Sequence, residues 1–262
     1  MEQRVIDAVA KDLWKDELKF RKDPKNANVV RLEKEFFKEL NELGYEFSWS
    51  MQFSSNTFTE KDKAIIPIFI KYLDMFDDDL KSHFIFCLGV NGFYDATEYV
   101  LNEYERSLLP SGDVGLQCAA AQTLERIQDP RYIDKYIYFL NENATVFSTW
   151  YFASLLGKMR VKKAIPHLIK LLDGENKIKE SYYGTGLEDE KYAVSQESIK
   201  ALAQFKDPEH IKYVEKFLEP ENLSWIQYPD TKDGRYLLKK TYREYKKIAE
   251  KAIKKMGGNP IT

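Results

Sequence analysis

The chain has 262 residues, of which 44% are hydrophobic and 31% charged, a globular composition that excludes a disordered or collagen-like chain. Its 40 Lys and Arg against 42 Asp and Glu leave a net charge of −2. The basic excess by which nucleic-acid-wrapping domains release counterions is therefore missing overall, which argues against a nucleic-acid partner and leaves only a local basic stripe open.

The N-terminal stretch MEQRVIDAVAKDLWKDELKF alternates charged and apolar residues and contains no continuous apolar run of the kind a signal peptide or membrane span needs. The chain reads as cytoplasmic, with no membrane association. Two helical stretches are expected, over about 3–20 and 28–43, separated by a polar turn at 22–26 and followed by an aromatic loop. Residues 1–58 do not fit the pattern that follows. They are expected to form an N-terminal helical cap over the open end of a repeat array spanning 59–262.

From residue 59 a pair of helical patterns recurs. The first helix of each pair opens near Ala64, Tyr94, Tyr132, Ala164 and His210, and each is preceded by a break: Asn91-Gly92, Asp129-Pro130 and Asp207-Pro208, with Thr59 as an N-cap for the first. The second helices run over 80–88, 116–124, 148–156 and 194–202, each closed by a leucine: Leu88, Leu124, Leu156 and Leu202. Small and apolar residues fill most third- and fourth-neighbour positions between, as an amphipathic helix requires. Successive closing leucines are 36, 32 and 46 residues apart, and the last interval is lengthened by a polar, Gly-rich insertion between Leu172 and Tyr192. A fifth pair consists of a first helix ending near Leu218, a loop at 221–234 and a long basic helix over about 235–256. Basic residues near a helix C-terminus and a polar outer face suit a terminal repeat. Acidic runs at 77–79 and 188–190 precede second helices and read as capping and dipole-complementing groups. Cys87 and Cys118 both fall inside apolar helical patterns and read as small core residues.

The best-formed unit carries Ala164, Pro166, Leu168, Leu171 and Leu172 in its first helix, then Val194, Ala201, Leu202, Asp207 and Pro208 in its second. This pattern resembles the HEAT-like repeat family, including the PBS-lyase type, over roughly residues 60–256. Leu156-Gly157 and the Asp129-Pro130 exit repeat parts of it. The resemblance implies an all-α fold, a right-handed α-α superhelix (a HEAT-like solenoid) of about five helix pairs with the N-terminal helical cap. Phe84, Phe86, Trp150, Tyr151 and Phe152 stand where repeats of this type often have alanine, which implies a less regular superhelix.

No chemistry-bearing motif emerges: the three histidines, His83, His167 and His210, fall in three different helices, and there is no H-E-x-x-H, phosphate loop or nucleophile elbow. No cofactor, metal or catalytic residue is expected. The family resemblance implies a non-catalytic scaffold or adaptor, an immunity or assembly factor among the roles it covers, that binds another protein on a concave face lined by the second helices. The candidate partner-binding residues are His83, Gln117, Trp150, Tyr151, Gln196 and Lys200. Two aromatic loops extend the set, Tyr182 and Tyr183 in the insertion and Trp225 and Tyr228 in the last loop. They either form an exposed ridge rich in hot-spot residue types or fold back on the C-terminal repeats. The alternative function, also by resemblance, is a DNA-binding protein similar to the HEAT-like alkylation-repeat glycosylases, which would need a cationic groove.

Overall fold

A computed structural model describes residues 19–47, 57–110, 112–142, 146–173 and 187–259. Among them all regular structure is helical, with no strand, and no helix is long and apolar enough to cross a membrane. The α-helices are α1 (Ala27–Glu42), α2 (Ile66–Leu73), α3 (Asp78–Cys87), α4 (Thr97–Ser107), α5 (Val114–Ile127), α6 (Ile133–Glu142), α7 (Val146–Lys158), α8 (Ile165–Leu171), α9 (Leu187–Gln204), α10 (Ile211–Val214) and α11 (Lys232–Lys255). The first helices of the recurring pairs are α2, α4, α6, α8 and α10; the second are α3, α5, α7, α9 and α11.

Each pair packs internally, and the second helices also pack in succession, α3 on α5, α5 on α7, α7 on α9 and α9 on α11. Cross-helix contacts join positions near the closing residues. Thr123 Oγ1, one residue before its closing leucine, donates to the carbonyl of Ile85, three before its own, at 3.0 Å; Lys255 and Gln204, each two residues after the closing position, meet at 2.6 Å. The second helices therefore pack in succession, and we call this series a ladder and each of its helices a rung.

Local chemistry fixes where each rung starts and stops. Asp77, Asp113 and Thr231 accept from the backbone amides of Leu80, Leu116 and Gly234 at 3.0, 2.6 and 3.0 Å, satisfying donors that a helix N-terminus leaves unpaired. At the other end one rule recurs. Leu40, Leu88, Leu124, Leu156, Leu202 and Ile253 are all buried, and four residues after each the backbone turns left-handed, at Gly44, Gly92, Gln128, Arg160, Lys206 and Gly257. No other described residue has positive φ. Asp129 and Asp207 then cap the 3-10 turns Pro130–Tyr132 and Pro208–His210, each accepting from the backbone amide two residues on at 3.0 Å, and Thr59 forms a capping box with Asp62 ahead of Glu60–Ile65. The 3-10 turn that opens every first helix was not foreseen.

Two expectations change at the ends. The helix expected over 28–43 is α1, but it ends by the same rule as the second helices. Its Phe36 ring lies 5.0 Å from Phe69 on α2 and 4.9 Å from Phe84 on α3. Through α1, part of the stretch expected as a cap over the first pair shares one core with that pair. The stretch expected as a helix over 3–20 lies, apart from residues 19 and 20, outside the described residues. The final helix begins at Lys232, three residues earlier than expected, because the Asp-Gly read as a turn follows a Thr231 cap. Gly234 is required there: a Cβ would lie 1.9 Å from the carbonyl oxygen of Pro229.

The bulky residues that break the repeat pattern divide in two. Phe84 and Phe152, four before their closing leucines, are buried among rings from the first helices; Phe152 meets Tyr104 at 5.2 Å and Phe139 at 5.3 Å, in tilted and edge geometries that aromatic pairs favour. Phe86, Trp150 and Tyr151 are only half-buried and belong to the opposite face.

Candidate functional site: the outward face of the second helices

A helix turns about 100° per residue, so positions two and five before the closing residue, and two after it, point away from the first helices. Two before it stand Phe86, Gln122, Ser154, Lys200 and Lys251, all half-buried or exposed. Neighbouring rungs are tied across this row. The Arg126 guanidinium sits over the Phe86 ring, 5.5 Å from its centroid; Glu125 accepts from Ser154 Oγ at 2.7 Å and from Lys158 Nζ at 2.5 Å; Lys255 donates to Gln204. Burial draws the Arg126 guanidinium down from its ordinary value, with the Glu125 carboxylate acting the other way.

Trp150 and Tyr151 stack on one another at 5.6 Å with planes 11° apart, and both are half-buried. Tyr151 reaches back to α5, where its hydroxyl hydrogen-bonds Cys118; burial raises that thiol above its ordinary value and the hydrogen bond partly opposes the rise. His83 is half-buried on α3, its ring 5.7 Å from that of Phe84, and Gln196 is half-buried on α9. Lys200 is exposed and bonded to Glu197 at 2.9 Å. Five of the residues expected on this face are thus placed on it, and α5 and α7 bring the aromatic pair together with Cys118.

Gln117 is a correction. It is buried, at 4% exposure, because seven residues separate it from Leu124, which is two helical turns and returns it to the core side. Equivalent positions in α3, α7 and α9 hold Lys81, Thr149 and Ser195, all buried, while α11 has the exposed Lys246 there. The last loop takes one of the two courses expected for it. Trp225 and Tyr228 are half-buried and pack at 5.5 and 5.6 Å on the ring of Tyr192, while the Tyr228 hydroxyl meets Thr241 Oγ1 at 3.0 Å. They fold back on the C-terminal pair rather than forming an exposed ridge. Tyr182 and Tyr183 lie outside the described residues.

Phe86, Glu125, Arg126 and Lys158 were missed by sequence reasoning. Their signal is positional: each stands within two residues of a closing leucine. Among the described residues no group of three His, Cys, Asp or Glu side chains could hold a metal ion. His167, on the first-helix side, has Nδ1 2.9 Å from the Asn141 amide oxygen, and burial lowers its imidazole below the ordinary value, as does the Lys170 charge. Comparison of the chain with protein-family models and with curated proteins finds no match.

Proposed function

We propose that the chain is a HEAT-like solenoid that acts as a non-catalytic protein-binding scaffold, its partner lying along the outward, concave face of the second helices. The ladder of successively packed rungs supports this reading, because stacked repeats curve and present such a surface. The carrying observation is that this face holds a stacked Trp150–Tyr151 pair on the same side as Phe86, His83 and Arg126, all half-buried. Aromatic and Arg side chains of this kind dominate binding hot spots. Capture from a lysate of one stoichiometric protein, lost in Trp150→Ala and kept in Tyr138→Ala, is the expected result; Tyr138 is 60% exposed but lies on the first helix α6. Capture indifferent to Trp150→Ala overturns the proposal.

The DNA-binding alternative draws on the cations of the same face. Lys158 and Lys200 are, however, already paired with Glu125 and Glu197, which leaves less positive charge for phosphates. An electrophoretic shift whose affinity falls steeply with salt would favour it instead.

A further inference from the structure

Helix α11 is longer than its role as a rung demands. It starts 21 residues before Ile253, whereas α3, α5 and α7 each start ten residues before their closing leucines. The extra eleven residues carry its N-terminal turns about 16 Å past the starts of those helices. Along its whole length α11 has ten basic residues against three acidic. Lys251, Lys254 and Lys255 complement the negative end of the helix dipole, but Lys232 and Arg235 lie in the first turn, where the dipole opposes them, and Lys239 and Lys240 lie beyond the reach of either end. Capping does not explain these four. Among the described residues Lys239 and Lys240 pair with no carboxylate, and between them and Arg235 stand Tyr236 and Leu237, 63% and 39% exposed.

The complement lies in the same chain. Residues 74–125 hold ten acidic side chains against Lys81 and Arg106. The α2–α3 and α4–α5 connections carry Asp74, Asp77, Asp78 and Glu105 close in the chain to Met75, Leu108 and Leu109, which are 51%, 39% and 58% exposed. Lys81 is buried against Glu103 at 3.3 Å and also meets Asp74 at 3.6 Å, Arg106 meets Asp78 at 2.7 Å and Lys135 meets Glu105 at 2.9 Å, so three cations stand there against the five carboxylates of Asp74, Asp77, Asp78, Glu103 and Glu105. Because successive rungs meet at their closing ends, the connections that lead into α3, α5 and α11 all lie on one edge of the ladder. That edge is acidic and apolar near one end and basic and apolar at the other.

We propose that this edge is a self-association surface, on which the basic overhang of α11 in one copy docks against the acidic α2–α3 and α4–α5 connections of a second copy, and reciprocally. A two-fold arrangement needs both halves of a complementary pair on the same side of the molecule, and this edge supplies them. Opposite charges steer and register the two copies, while the exposed tyrosine, leucines and methionine lose water.

The test is the mass of the full chain in solution by light scattering and sedimentation equilibrium. At about 20 mM salt it is expected to be twice the 30.8 kDa of one chain, falling toward one chain at about 0.5 M, where screening shortens to a few ångströms. Lys239→Glu combined with Lys240→Glu is expected to be a monomer at both salts with unchanged helical circular dichroism. Adding Asp78→Lys and Glu105→Lys to that variant restores the dimer by exchanging the charges. A wild-type chain that is monomeric at about 100 µM and low salt overturns the proposal, as does association unaffected by the α11 reversal, abolished by nuclease, or not restored by the charge exchange.

Discussion

Gly157→Ala tests the ladder through the sign of its effect. Gly157 is the next-to-last residue of α7, and in an isolated helix alanine would be the better residue by up to ~1 kcal/mol. In the ladder the added Cβ would lie 2.6 Å from Ala201 Cα, 2.7 Å from its Cβ and 3.0 Å from its carbonyl oxygen, all on α9. Carbon atoms in contact rest about 3.5–4.0 Å apart, so α7 and α9 must separate by about 1 Å or deform. Two of the three atoms are backbone, so no rotamer change relieves the crowding. Overpacking of this kind costs ~1–3 kcal/mol, and the helix-propensity gain leaves a net loss of ~1–2 kcal/mol. For a chain of this size that lowers Tm by about 2–8 °C, measured by circular dichroism with urea unfolding as a second readout. Ala201→Gly removes one of the crowded atoms, so the double variant is expected to be more stable than the sum of the two single effects, by ~0.5 kcal/mol or more. A Gly157→Ala chain as stable as wild type, or more so, would refute the close α7–α9 approach and with it the packing of these two rungs at their closing ends.

The left-handed turns make a second prediction. Gln128→Gly, Arg160→Gly and Lys206→Gly each relieve a conformation that costs an L-residue ~1–2 kcal/mol, less the ~0.5–1 kcal/mol of extra chain entropy glycine gives up, so each is expected to raise the urea midpoint while Gly92→Ala lowers it. Asp129 supplies a pH dependence. Burial pushes its carboxyl up, but the Arg131 guanidinium and amide more than reverse this and hold it below the ordinary carboxylate value. The ionised group therefore stabilises the fold above about pH 4, and this contribution is lost as pH falls through the depressed value. Asp129→Asn is expected to flatten that part of the acid unfolding curve and to cost ~1 kcal/mol at neutral pH as a weakened cap. Burial pushes the Cys87 thiol up to about 12, against a small opposing effect of Arg126, so at pH 8 a thiol reagent followed by mass spectrometry should label Cys118 first and Cys87 only on unfolding. Phe36→Ala, at a site 1% exposed and ringed by Phe69, Tyr72, Phe76 and Phe84, is expected to cost ~3–5 kcal/mol in urea unfolding of the whole chain, whereas a detachable cap would melt in a separate transition.

The helix pairs were legible because burial imposes a period. Leu88, Leu124, Leu156 and Leu202 each sit where a rung meets the core, and no other residue type fills that place in α3, α5, α7 or α9. The outward face was legible in part. Trp150 and Tyr151 announce themselves as two large rings at consecutive positions that cannot both face the first helices, whereas Arg126 and Lys158 read as ordinary dipole-complementing cations until their partners on adjacent rungs are seen. Gln117 was misplaced because its polarity was weighed above its seven-residue spacing from Leu124. Trp225 and Tyr228 were unreadable for a different reason: their partners Tyr192, Thr241 and Tyr245 are 13 to 36 residues away, and no local pattern links a loop to a core so distant in the chain.

The same spacing rule extends to α1. A left-handed residue four positions after a buried leucine is a geometric requirement for turning out of a rung and into the next first helix, and glycine, glutamine, arginine and lysine all fill it. Residue identity at that position is therefore a poor guide, while its distance from the closing leucine is a good one. Leu40 and Gly44 satisfy the distance as Leu88 and Gly92 do, and Phe36 occupies in α1 the place, four residues before closure, that Phe84 and Phe152 occupy in α3 and α7. The three rings are buried for one reason, since that position faces the first helices. In its ending and its packing α1 thus resembles the second helices, and the core it shares with α2 and α3 includes residues before 58.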